Sequence, residues 1–142
     1  MWTPSEEFKK SILELGMEYN ILPKAEALAL KQKAYSNFAA HQRYDYPLWE
    51  RLKPCDSVTR EFVWRWFKDL LKNEKVYLFF ENVKDDTVFY IEDGASVSLI
   101  LDNAPGMTVY IVNKEVTYLY AYHDDHDILR ACGDARGKVL LK

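Results

Sequence analysis

Near residue 75 the apolar spacing of this chain changes from a repeat of three to four residues to a strict alternation. A helix buries a stripe that recurs every 3.6 residues and a strand buries every second side chain, so the switch predicts a helical front and a sheet behind it. Five runs rich in β-branched and aromatic residues follow: Val76 to Glu81, Thr87 to Glu92, Thr108 to Val112, Val116 to Tyr122 and Asp127 to Cys132. The joins Asn82 to Asp86 and Asn113 to Glu115 are too short for a crossover, which makes the strands they connect antiparallel neighbours.

The front half reads as about three helices. Thr3 caps the first, Pro4 suits its first position and Glu6 completes a capping box; Phe8, Ile12, Leu15 and Tyr19 then recur at helical spacing to about Asn20. Pro23 starts a second, Ala-rich helix that runs to about Tyr44 and stops at Asp45, Tyr46 and Pro47. Leu48 to Leu52 reads as a short helical turn. Asp56 or Ser57 caps a third helix to about Leu71, whose wide stripe of Val58, Phe62, Val63, Trp66, Phe67 and Leu70, extended sideways by Trp64 and Leu71, makes it the expected central helix of the core. Ala95 to Asn103 fits a short helix by its Val97, Ile100 and Leu101 spacing, while Ser96 to Leu101 also fits a strand. There is no repeat, low-complexity tract or linker, and 142 residues is one domain's length. The expected fold is therefore a single α+β domain over 1–142, with 1–75 mainly helical and 76–142 mainly sheet. Its helices pack on one face of a mostly antiparallel sheet of about five strands.

Alternation sorts the strand side chains into two faces. Leu78, Phe80, Phe89, Ile91, Val109, Ile111, Leu119, Ala121, Leu129 and Ala131 form an aliphatic face suited to packing on helices. Tyr77, Phe79, Glu81, Tyr90, Glu92, Tyr110, Tyr118, Tyr120, Tyr122 and Arg130 form the other. Tyrosine with an acidic rim has the composition of a docking surface, since the ring supplies contact area and the hydroxyl stays usable in water. If helices cover this second face as well, the same tyrosines become core residues of a three-layer domain.

Charge separates the halves. Residues 76 to 142 carry 6 basic against 11 acidic side chains, whereas residues 1 to 75 carry 13 against 11. An acidic sheet half repels phosphate backbones and suits a basic protein partner, so nucleic acid is not the expected ligand. No apolar run approaches the roughly 18 residues of a membrane span. Two cysteines, Cys55 and Cys132, are too few for a disulfide framework, and the polar start lacks a secretion pattern, which together predict a reducing cytoplasm.

Chemistry-bearing motifs are sparse. His123, Asp124, His126 and Asp127 are the one metal-like cluster, since imidazole and carboxylate suit zinc, manganese or iron. The same residues fall where two antiparallel strands turn, and His and Asp are ordinary turn residues there. Cys55 sits at an expected helix start, where a thiolate is stabilised, but has no clear His partner. The glycines form no phosphate-binding loop. Trp64 and Trp66, two apart, point to different sides of a helix and make no stacking platform; Trp66 reads as core and Trp64 as a flank or interface residue. No resident cofactor is expected.

The string from Tyr110 to Tyr120, with His123 and Asp124 in the following turn and Ile128 to Gly133 beyond it, resembles the C-terminal pattern of small uncharacterised bacterial α+β proteins. Some of these are similar to immunity proteins of contact-dependent or polymorphic toxin systems. The resemblance covers about a third of the chain and implies a stoichiometric inhibitor of a toxin domain. The residues and the resemblance together predict a non-catalytic binding protein. Asp124, Asp125, Asp127, Glu81 and Glu92 would steer the partner and the tyrosines would form the contact centre; a homodimer stays open as well. Two alternatives remain: a metal-dependent hydrolase at the His123 cluster, and a small-ligand module with a pocket between the third helix and the sheet near Trp66 and Phe89.

Overall fold

The computed structural model describes residues 3–40, 48–81, 84–104 and 106–139. Within them the chain is α+β, with four α-helices, four short 3₁₀ turns and seven strands in one sheet, every pairing antiparallel. The elements are α1 (Pro4–Glu14), β1 (Asn20–Ile21), α2 (Lys24–Phe38), β2 (Asp56–Thr59), α3 (Phe67–Leu70), β3 (Val76–Phe80), β4 (Phe89–Ile91), α4 (Val97–Asn103), β5 (Val109–Val112), β6 (Tyr118–His123) and β7 (Ile128–Gly133). The sheet order is β1-β4-β3-β5-β6-β7-β2. The five expected strands form its centre, and two short strands from the front half, β1 and β2, close its edges.

Local chemistry explains the first helix. The Thr3 hydroxyl accepts from the Glu6 amide at 3.3 Å, Pro4 occupies the first helical position, and the buried Asp85 carboxylate accepts from the Ser5 amide at 2.8 Å. Phe8 and Ile12 enter the core, while Leu15 and Tyr19 remain exposed because α1 ends at Glu14, ahead of Gly16 at φ +73°. The stretch 95–103 is helical: a 3₁₀ turn at Gly94–Ser96 leads into α4, and the Ser11 hydroxyl on α1 donates to the Ile100 carbonyl at 2.8 Å. α2 ends at Phe38, short of the expected Tyr44, because Ala39 turns extended and bridges Leu52; Asp45 to Pro47, Asn82 and Val83 of the first hairpin join, and Pro105 lie outside the described residues.

The third expected helix is not one helix. Asp56–Thr59 pairs with β7, Arg60 donates its amide to the Asp127 carbonyl at 3.0 Å, and Phe62 turns the chain at φ +60° into a 3₁₀ turn, Val63–Trp66, before α3. Of the expected stripe Val63 and Phe67 are fully inaccessible, as is Leu71 at its side, whereas Phe62 is exposed and Val58, Trp66 and Leu70 are only partly buried. What precedes Val63 follows the edge of β7 instead, a tertiary pairing that overrides local helical preference. Cys55, directly before β2, forms a disulfide with Cys132 on β7. This corrects the placing of Cys55 at a helix start, and a bridge joins the two cysteines that were too few to read as a framework.

Helices cover both faces of the sheet, not one. On the first face α1, α3 and α4 pack Phe8, Ile12, Phe67, Val97, Ile100 and Leu101 against Leu78, Phe80, Phe89, Val109 and Ile111. On the second, α2 and the 3₁₀ turn Leu48–Glu50 place Ala34, Phe38 and Leu48 over Phe79, Tyr110, Val112 and Leu119. Gly133 marks how closely α2 approaches: a Cβ there would lie 2.4 Å from the Thr117 carbonyl oxygen and 2.9 Å from the Phe38 ring.

Candidate functional site

Register decides which tyrosines share a face. The expected faces hold for β3, β4, β5 and β7, but β6 is reversed. Ile111 pairs with Tyr120 and Val109 with Tyr122, so Tyr118, Tyr120 and Tyr122 join the aliphatic face and Leu119 and Ala121 the opposite one. The cause is the turn before β6. Asn113 accepts the Thr117 and Tyr118 amides on its side-chain oxygen at 2.9 and 3.3 Å, and Val116 sits at φ +56°. That turn sets Ile111 opposite Tyr120 and not opposite Leu119 or Ala121, an offset of one residue that moves every β6 side chain to the other face.

The expected tyrosine docking face is accordingly dismantled. Tyr118, Tyr120 and Tyr122 lie under α3 and its preceding turn, with Phe67 packed edge-on to Tyr120 at 5.7 Å and Trp64 against Tyr122 at 5.9 Å. Tyr110 lies on the opposite face beneath the Leu48–Glu50 turn, stacked on Phe79 at 5.4 Å and accepting the Trp49 amide at 3.0 Å. Burial raises the phenol pKa of all four, and the Tyr120 hydroxyl is pushed up to about 12 by burial and then by the Glu74 carboxylate.

Glu81 and Arg130, expected at the docking rim, instead clamp that turn. Glu81 accepts the Leu48 amide at 2.8 Å, and Arg130 donates to the Trp49 carbonyl while its guanidinium lies 4.8 Å from the Trp49 ring centroid. Burial raises the Glu81 carboxyl pKa; its bonds to Tyr110 and the Leu48 amide oppose this incompletely.

What remains accessible of the expected residues lies at two opposite ends of the strands. At one end Tyr77 and Tyr90 are half-buried with rings 5.3 Å apart, and with Glu92 they line an open depression of about 860 Å³. Its carboxylates at Glu74, Glu92 and Glu115 are offset by Lys75 and Lys114. The other end carries the 3₁₀ turn Asp124–His126 and Asp127 at φ +50°, a conformation Asp tolerates. Among the described residues Asp124, Asp125 and Asp127 form no ion pair. Burial and the neighbouring Asp125 charge raise the Asp124 pKa.

The turn does not assemble a metal ligand set. His123 stacks on Trp49 at 4.2 Å and on His126 at 5.5 Å, whereas Asp124 points toward Gly106, and among the described residues no group of three or more His, Cys, Asp or Glu is placed to hold a metal. The space expected for a small ligand near Phe89 is filled by Phe8 and Phe80, with ring centroids 4.8 and 6.1 Å from it.

Beside the acidic turn lies a second group that the sequence did not single out as a site. Asp102 on α4 accepts the Trp64 indole at 2.6 Å and the Arg65 guanidinium at 3.0 Å on one oxygen. The Arg65 guanidinium in turn lies 4.5 Å from the centre of the Phe62 ring, which is 44% exposed. Trp64 packs on Tyr122, and the Asp124 carboxylate lies at Gly106 next to both, so the aromatic group and the carboxylates are contiguous. Only the adjacency of Trp64, Arg65 and Trp66 hinted at it. The left-handed backbone at Phe62 has no signal in its neighbours Arg60 and Glu61.

No protein-family model matches the chain, and no curated protein matches it in sequence. Among the described residues no helix is long and apolar enough to cross a membrane.

Proposed function

We propose that the protein is a non-catalytic binding protein of the immunity type, an inhibitor that forms a one-to-one complex with a toxin domain or similar protein through the acidic end of its sheet. The observation that carries this reading is the turn Asp124–Asp127, where three carboxylates stand together without a cationic partner among the described residues. Like charges held this close repel one another, and a basic protein surface relieves the repulsion while speeding encounter. The resemblance of residues 110–133 to small bacterial α+β proteins, some of which are similar to immunity proteins, points the same way. The compartment belongs to the proposal too: a cytoplasmic inhibitor would hold Cys55 and Cys132 as thiols, while the bridged form persists in an oxidising compartment.

The test is co-expression with the polypeptide encoded beside it. The expected result is a one-to-one complex that survives purification and a relief of any growth arrest that polypeptide causes. Asp125→Lys is expected to slow association on the order of tenfold at low salt, with the difference shrinking as salt rises. A complex indifferent to Asp125→Lys, or no complex, overturns the reading.

A further inference from the structure

We infer that Phe62, held by Trp64, Arg65 and Asp102, is the apolar anchor of a binding surface for a protein segment that presents a basic side chain next to an apolar one. The inference rests on the reading of the acidic turn as a docking region and adds to it the contact that gives affinity.

The first argument is conformational. Phe62 adopts φ +60° and ψ +27°, a region costly for a bulky residue and ordinary for glycine or asparagine. Such a backbone persists only where its surroundings hold it and is met most often at binding and active sites, and the ring it carries here is 44% exposed. Its position thus costs stability without a matching gain in the core.

The second is preorganisation. One oxygen of Asp102 holds the Trp64 indole and the Arg65 guanidinium, and Arg65 lies across the face of Phe62. Trp64 meets the Phe62 ring at 5.5 Å, nearly perpendicular at 77°. Three side chains of the types that dominate interface energetics are fixed before any partner arrives, so little rotamer entropy remains to be lost. Leu99, 58% exposed and one turn from Asp102 on α4, extends the apolar area.

The third is charge. Arg65 is already paired with Asp102, whereas the nearby Asp124, Asp125 and Asp127 are not paired with any described residue. Arg60, whose guanidinium lies over the Trp66 ring, and Glu61 offset one another, so the surplus charge around Phe62 is negative, and the complementary occupant carries lysine or arginine within reach of an aliphatic or aromatic side chain. A second copy of this chain fits less well, because it brings the same acidic turn.

A random peptide library displayed on phage, panned against the full immobilised chain, tests this directly. The expected result is enrichment of peptides with Lys or Arg close to a large apolar residue, binding to Phe62→Asn on the order of tenfold or more weakly than to the wild type. Phe62→Asn and Phe62→Gly are both expected to melt no lower than the wild type, because each accepts the left-handed backbone. Loss of binding at undiminished stability is the signature of an anchor. Enriched basic peptides that bind Phe62→Asn as well as the wild type overturn the anchor and leave the acidic turn standing. Enriched peptides without basic residues overturn the charge argument, and no enrichment at all, or a lower melting temperature with unchanged binding, overturns the inference outright.

Discussion

Ile111 lies directly opposite Tyr120 across the β5–β6 ladder, and that one pairing puts the three tyrosines of β6 in the core. A phenol in the core meets different constraints from one on a docking face. Its ring gains from packing, its hydroxyl is cut off from water, and its ionisation is opposed by burial. The consequences are measurable in the isolated protein.

Tyr110, Tyr118, Tyr120 and Tyr122 all have pKa values raised by burial, with Tyr120 at about 12 against an ordinary 10.0. A group with a raised folded pKa adds stability that is full below the ordinary phenol value and is lost as pH climbs through the folded one. Alkaline titration followed by phenolate absorbance should therefore show these four ionising late and together with the loss of near-ultraviolet dichroism. Early, reversible ionisation of all ten tyrosines in the folded protein would contradict their burial.

Glu81 gives a pH dependence at the acid side. Its pKa is raised, burial being the largest cause, so its contribution is fully present below the ordinary glutamate range and is lost as pH rises through the folded value. Glu81→Gln keeps an acceptor for the Leu48 amide and should flatten the melting temperature between mildly acidic and neutral pH. Glu81→Ala leaves that amide unpaired and should cost about 1–3 kcal/mol at any pH in urea unfolding. Equal behaviour of the two variants would remove the clamp argument.

The Cys55–Cys132 bridge closes a loop with a sequence separation of 77 and fastens the edge strand β2 to β7. Replacing both cysteines by serine should lower unfolding free energy by about 2–4 kcal/mol. The double variant should stay folded, because Val63, Phe67 and Leu71 keep the following segment in the core. A chain whose stability is insensitive to reductant would show that the two sulfurs are not joined in solution.

Fold class, the five central strands, the capped first helix and the burial of Val63 and Phe67 were legible in the sequence. Each is set by periodicity or by chemistry within a few residues. The edge strand β2 was not, because its partner β7 lies some 70 residues away and local propensity is silent about it. The face of Tyr118, Tyr120 and Tyr122 was not either, since it turns on whether Ile111 meets Tyr120 or one of its neighbours Leu119 and Ala121. That choice is made by the Asn113 side chain and the left-handed Val116 in the folded turn.

The candidate site divides the same way. Asp124, Asp125 and Asp127 could be read as a charged turn from composition alone, whereas Phe62 became notable only through its backbone angle, its exposure and its contact with Arg65. By itself the sequence determined which side chains are apolar, which are charged and at what period they recur. Tertiary structure decided which of them face the same way, because register and layer order depend on contacts between segments distant along the chain, and no local pattern records them.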